Sequence, residues 1–281
     1  MRRAIPIADE TSSHRFYRSI PNQSSGGAFR DWSVRTLEEL LLNRLKSAYR
    51  AISPIVLGTP LVLVDIGAAG GLQPKWRRYR HQTRPVMFEP NPAEAARLRS
   101  GPGAIVVENG LAAEAGVQRL NIAHWWGCSS MLDADPDTLA GYKIAPLYAA
   151  EQQVTVECRR YDELHREGKV PAPDAIKVDV EGFEYQVLSG FGDLLHGVLG
   201  IEAEAWFYPV FKGQKLLHDL VAMLADYDLR LRRLEKVPGF EGDMVCVNAF
   251  FTRGKARHAD LTPEQQPKFQ LLERVWALDT V

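Results

Sequence analysis

The residues with chemistry to do begin with the run LVLVDIGAAGG, residues 61–71. Four branched apolar residues end in an acid, Asp65, and a turn follows in which Gly67, Gly70 and Gly71 let a bound ligand approach the backbone closely. A second apolar run, PVMFE at residues 85–89, ends in another acid, Glu89. If the two runs are neighbouring parallel strands, their carboxyl ends lie side by side, and Glu89 is placed to accept hydrogen bonds from the hydroxyls of a ribose. Two nucleoside cofactors suit that layout. A nicotinamide dinucleotide wants G-x-G-x-x-G, amide donors at a helix start, and no carboxylate beside its pyrophosphate. Here Ala69 replaces the second glycine, and Asp65 would repel phosphate. A positively charged sulfonium, as in S-adenosylmethionine, tolerates that acid. The expected cofactor site is therefore the first turn, with Asp65, Gly67, Ala68 and Gly70, and the second, with Glu89, Pro90 and Asn91.

A second group of acids follows in AIKVDVEG, residues 175–182, where Asp179 closes a strand and Glu181 follows it. Acids at the carboxyl end of a central strand face the reaction crevice. A methyl group on a sulfonium is already activated, so the protein mainly aligns the acceptor and removes its proton. Asp179 and Glu181 are the candidates for that work. The competing reading has Asp179 holding the cofactor's amino group or capping the next helix, and Glu181 paired with a surface base. His124, beside Trp125 and Trp126, is a further candidate base or part of a stacking wall for a sugar; a half-buried, satisfied histidine is the alternative. Asp179, Glu202 and Glu204 could offer oxygen ligands at one sheet edge, but they lack a compact spacing, so no metal site is expected. The basic stretch Lys75, Arg77, Arg78, Arg80 and Arg84 reads as the solvated face of a helix whose Trp76 and Tyr79 turn inward, in preference to an anion site on the acceptor.

Those residues need a scaffold. Residues 104–108 and 175–179 read as further parallel strands, and residues 197–205 as the next one. Between the third and fourth strands, VQRLNIAHW and QQVTVECRR alternate as half-exposed antiparallel strands do, which predicts an inserted β excursion. A helix over 216–227 precedes two final strands, LRLRRLEKV and MVCVNAFFT, joined through a Pro238–Gly239 turn. Asn91 and Pro92 form a helix start after the second strand, and Thr262, Pro263 and Gln265 form another before the tail helix. The polar first thirty residues read as a flexible basic arm, residues 34–51 as an amphipathic helix. The domain plan is thus an arm over 1–30, one catalytic domain over 31–256 and a C-terminal helix over 257–281.

Composition narrows the class. With 46% apolar and 25% charged residues, the chain can bury one ordinary core. Its 34 lysines and arginines nearly balance 35 aspartates and glutamates, which gives no global attraction to nucleic acid or an anionic membrane surface. Cys128, Cys158 and Cys246 form no CxxC pair, and the expected setting is a reducing cytoplasm. No apolar run is long enough to span a bilayer, and the start lacks the apolar core of a signal peptide.

Taken in order, LVDIGAAGG, VMFEPNP, VECRRYDEL, IKVDVEGFEYQVLSG and IEAEAWF resemble the FkbM-type methyltransferases over residues 61–253, most specifically in DVEGFE followed by VLSG. The resemblance implies a Rossmann-like class I methyltransferase fold in the α/β class. Its sheet would be mostly parallel and seven-stranded, with one terminal antiparallel strand. It also implies S-adenosylmethionine as donor and a small-molecule or saccharide hydroxyl as acceptor. Carried over to this chain, Asp65, Gly67, Glu89 and Asn91 match the cofactor motifs, and Asp179, Glu181 and Gly182 the DVEG motif. AAGG departs from the family, which more often has a polar residue and a single glycine there. A nicotinamide-dependent oxidoreductase and a non-catalytic nucleoside-binding partner protein are the alternative readings.

Overall fold

The computed structural model describes residues 55–278 except Pro102. The arm over 1–30 and the helix expected at 34–51 lie outside the described residues. Ten strands are described: β1 (Leu61–Ile66), β2 (Thr83–Phe88), β3 (Ile105–Val107), β4 (Gly110–Leu111), β5 (Gly116–Ala123), β6 (Ala150–Arg159), β7 (Ala175–Val178), β8 (Gly200–Trp206), β9 (Leu229–Lys236) and β10 (Cys246–Arg253). Seven make one sheet in the order β3-β2-β1-β7-β8-β10-β9. All its neighbours run parallel except β10, which is antiparallel to both β8 and β9. The doubly wound α/β architecture with a single reversed strand is the one expected.

Both faces of the central strands are covered, which is why β1, β7 and β8 read as nearly continuous apolar runs. Val64, Ile66, Ile176, Val178, Ile201 and Ala203 pack into the larger cluster on one face. Leu61, Leu63 and Ala175 face the other way, against Trp76 and the C-terminal helix Gln265–Val275 through Phe269, Leu272 and Trp276. That helix begins at Gln265, two residues later than a Thr262 cap with Pro263 first would place it, although Thr262 and Gln265 exchange the expected side-chain to backbone bonds of 3.2 and 3.1 Å. The inserted excursion is present too, as β5 antiparallel to β6, with the two-residue β4 added to it. The segment between β5 and β6 supplies Cys128, Leu139 and Tyr148 to a third cluster with Trp206, Phe211 and Phe240. Short helices at Pro136–Leu139, Tyr161–Arg166 and Glu184–Ser189 have too few turns to show a period in sequence.

One residue ties the first strand and the C-terminal helix together. Asp174 Oδ2 accepts the Val62 amide at 2.8 Å and the buried Lys268 ammonium at 2.9 Å, so β1, the start of β7 and the C-terminal helix share one carboxylate. Replacing Asp174 by alanine leaves a buried ammonium and a backbone donor short of a partner. Unfolding in urea is expected to show a loss of about 3 kcal/mol.

Candidate active site

The sheet order reverses between β1 and β7, and ligands of open α/β sheets bind in the crevice outside the strands' carboxyl ends at such a point. A cleft of about 1210 Å³ opens there. Of the residues marked in the sequence, Asp65, Gly67, Gly70, Glu89, Pro90, Asn91, Asp179 and Glu181 line it. Ala68 lies buried underneath. His124 is outside the lining, exposed at the end of β5, where its Nδ1 lies 2.6 Å from Glu151.

The first turn is glycine for a steric reason. Gly67 has φ of +72°, and a Cβ there would stand 2.0 Å from the carbonyl oxygen of Asp179. The turn is tied at each end, by Ala68 N–H donating to the Phe88 carbonyl (3.2 Å) and Gly71 N–H to the Ala68 carbonyl (2.8 Å). Between them Gly70 N–H donates to Glu94 (2.8 Å), whose carboxyl Arg97 and the Gly70 amide hold down at about 2. No long helix follows: Pro74–Arg77 is four residues. The amide cluster that a pyrophosphate needs is absent at this turn.

Glu89 stands at the end of β2, buried, its amide bonded to the Val107 carbonyl at 3.1 Å. Its Oε1 accepts the Asn91 amide at 2.9 Å. Asn91 in turn caps the helix Pro92–Arg99, accepting from Ala93 (3.0 Å) and Glu94 (3.3 Å), so the cap fixes the loop that holds the Glu89 carboxylate. Burial pushes Glu89 above the usual carboxylate range, against the pull of the Asn91 amide.

The lining of the cleft contains an ion triplet in which Asp65 and Lys177 are buried and Asp179 is partly exposed. Lys177 Nζ lies 3.3 Å from Asp65 and 3.4 Å from Asp179, and donates to the Gly67 carbonyl at 3.0 Å. Burial works to lower the lysine, but Asp179 and Asp65 outweigh it and keep the ammonium above its ordinary range. Burial raises Asp65 to about 6 in spite of Lys177. This changes the expected part of Asp65. Its charge is compensated, so the repulsion of a pyrophosphate is weaker than its sequence position suggests, and the lysine it pairs with holds the turn through the Gly67 carbonyl.

Asp179, Glu202 and Glu204, which the sequence offers as oxygen ligands without a compact spacing, do not form one group on the other side of the cleft. Glu202 pairs with Lys177 in strand register, one side-chain step below the sheet edge, and is covered by an ion pair with Lys75. Lys75 thereby leaves the basic stretch, while Trp76 is buried against Trp276, as a solvated face with an inward aromatic requires. Asp179, Glu181 and Glu204 meet instead, each offering an oxygen within 4.8 Å of the others. Two unit charges at that separation repel by about 3–4 kcal/mol at an effective dielectric near 20. Burial and Glu204 drive Glu181 well above the usual range; burial and Asp179 do the same to Glu204.

Glu181 is placed by strain. Its φ is +54°, followed by Gly182 at +90°, where a Cβ would strike Phe211 and Gln214. Three bonds hold this turn: Ser130 Oγ donates to the Glu181 carbonyl (2.6 Å), and Glu184 Oε1 accepts from Val180 (3.0 Å) and Gly182 (3.1 Å). Lys177, Glu184 and Ser130 were missed in the sequence. A lysine in the middle of a buried strand, AIKVD, was the available signal, because such a residue demands a partner. Ser130 had none, since it comes from the excursion.

Burial raises Glu184 to about 7, opposed by the two amides it accepts. A carboxyl with a raised folded pKa stabilises fully below its ordinary value of 4.5, and that contribution is lost as pH rises through 7. Glu184→Gln keeps the acceptor oxygen and removes the charge. Between pH 4.5 and pH 8 the variant should therefore gain stability relative to the parent by up to about 3 kcal/mol. Urea titrations at the two pH values that gave equal differences would rule this out.

Comparison with known proteins agrees with the cleft. The Methyltransferase FkbM domain model matches residues 65–231. The 2-O-methyltransferase NoeI of Sinorhizobium fredii is 26% identical over 199 residues, 66% of this chain and 79% of that protein. The hexuronic acid methyltransferase AglP of Haloferax volcanii is 30% identical over 119 residues, 40% of this chain and 42% of that one. Among solved structures, magnesium protoporphyrin IX methyltransferase of Synechocystis aligns with TM-score 0.39 and 9% identity, covering 83% of this chain and 86% of that one. Precorrin-6y C5,15-methyltransferase of Geobacter metallireducens gives 0.36 and 14%, covering 74% and 87%. The family match takes in more than half of the sequence and every strand that bounds the crevice up to β8, so the chain belongs to the FkbM methyltransferase family and is a methyltransferase.

Proposed function

We propose that the cleft binds S-adenosylmethionine and that the protein methylates a hydroxyl oxygen of a saccharide. The observation that carries this is the division of one cleft into two ends. Glu89 and the Gly67–Gly71 turn form a nucleoside end, and Asp179, Glu181 and Glu204 form an acidic end. The residues fit the donor: the glycine turn admits a close approach, Glu89 has a carboxylate for two ribose hydroxyls, and the acidic surroundings suit a cation. When bound, the donor supplies an electrophilic methyl group. The work left to this chain is alignment and removal of one proton.

Glu181 is the group suited to take the acceptor's proton, because burial and Glu204 raise its proton affinity. Asp179, fixed by Lys177, orients the hydroxyl. As the O–CH3 bond forms, the hydroxyl proton passes to the carboxylate. The excursion roofs this end: Trp126 lines the cleft and stands 5.7 Å from Trp125, ring centroid to ring centroid, with both exposed. Exposed aromatic faces beside hydrogen-bonding acids suit the mixed apolar and hydroxylated faces of a sugar ring. The names of two relatives support the same class: NoeI is a 2-O-methyltransferase and AglP a hexuronic acid methyltransferase.

Transfer of labelled methyl from S-adenosylmethionine to a panel of saccharides, with the product located by mass spectrometry, tests the reading. Binding of the donor without transfer to any hydroxyl would refute it. Glu89→Ala should weaken S-adenosylhomocysteine binding by about ten- to a hundredfold in calorimetry. Glu181→Gln should lower turnover by about 10²–10⁴-fold at saturating donor and acceptor, with S-adenosylhomocysteine affinity little changed.

A further inference from the structure

We propose that Asp179, Glu181 and Glu204 hold a divalent cation of the oxygen-preferring kind, magnesium or manganese, at the acidic end of the cleft. Three carboxylate oxygens within 4.8 Å of one another match the spread of ligands around one such ion, whose opposite donors stand about 4–5 Å apart. The independent observation is a pair of buried oxygens with nothing to bond. Glu204 is only 8% exposed, and its Oε2 has no hydrogen-bond partner; the Oε2 atom of the half-buried Glu181 is also shielded from solvent and unpartnered. Native proteins satisfy buried carboxylate oxygens with donors or with ions.

Charge points the same way. Asp179, Glu181, Glu184 and Glu204 crowd one another, and the buried ammonium of Lys177 makes its ion pairs with Asp65 and Asp179. Lys177 lies in β7 below the sheet edge, so it neutralises the deep side and leaves the outer side of the trio to a cation entering from the cleft. The ligands are also preformed. Asp179 and Glu204 extend from adjacent parallel strands, and the backbone of Glu181 is clamped by Ser130 and Glu184.

Such an ion would leave coordination positions open toward the cleft, where one or two hydroxyl oxygens of a sugar would complete its shell. This use rests on the methyl-transfer reading. The cation polarises the O–H bond, the proton leaves to a carboxylate oxygen the ion does not occupy, and the oxygen's electron pair forms the bond to the methyl carbon. The electron pair of the broken S–C bond returns to sulfur, which becomes a neutral thioether.

The test uses the full chain stripped with a chelator and titrated with manganese(II) alone, followed by electron paramagnetic resonance. S-adenosylhomocysteine affinity is measured on the same samples. One ion per chain is expected, bound at least about tenfold more weakly by Glu204→Gln and by Glu181→Gln while S-adenosylhomocysteine affinity is kept. Failure of the parent protein to take up manganese at millimolar concentration, or unchanged uptake in both variants, would overturn the site. Should one variant misfold, the other and the parent protein still decide. Uptake without S-adenosylhomocysteine binding would sink the donor reading and leave the cation site standing. S-adenosylhomocysteine binding without manganese uptake would do the reverse.

Discussion

A lysine in the middle of an apolar strand is held in this molecule by everything around it, and much of the cleft is arranged to keep it charged. Lys177 points from β7 to the same side as Asp65 of β1 and Asp179 beyond its own strand end, and donates to the carbonyl of Gly67. Desolvating an ammonium is costly unless it is paired and hydrogen-bonded. Here the pairing joins the two strands between which the sheet order reverses, at the level where the crevice opens. The Gly67 turn can approach the Asp179 backbone because Gly67 has no Cβ, and the ammonium of Lys177 ties both to one point.

From that point the site divides by electrostatics. Toward β2 the acids are held by backbone amides: Glu89 by Asn91, and Asn91 by its place at a helix start. Toward β8 they crowd one another, and burial keeps their proton affinities high. The same sheet edge therefore offers one carboxylate ready to accept hydrogen bonds and a trio that needs protons or cations. Only the second property suits a step in which a proton must move.

The excursion between β3 and β7 is what makes the acidic end a room and not a surface. It brings Ser130 to the strained Glu181 turn and Trp126 to the rim, and its aromatic packing with Trp206 and Phe211 anchors it to the sheet. Loops that carry function on a rigid scaffold commonly vary while the scaffold does not. On the proposed reading the acceptor meets the segment between β5 and β6, whose short turns have little periodic signal of their own.

The sequence alone determined the strands and the residues of the end proposed for the nucleoside. Alternating apolar runs ending in Asp65, Glu89 and Asp179, glycines where a turn must pass close to backbone, and the Asn91-Pro92 and Thr262-Gln265 helix starts are local signals, set by neighbours a few residues away. Tertiary structure decided the rest, because it depends on which side chains far apart in the chain share one depth in the sheet. Glu202 and Glu204 read alike in sequence, yet register places one beside Lys177 under Lys75 and the other at the rim with Asp179 and Glu181. His124 sits near two tryptophans in sequence, yet the fold turns it to the surface against Glu151. Burial and through-space charge fix what an acid does, and neither has a period along the chain.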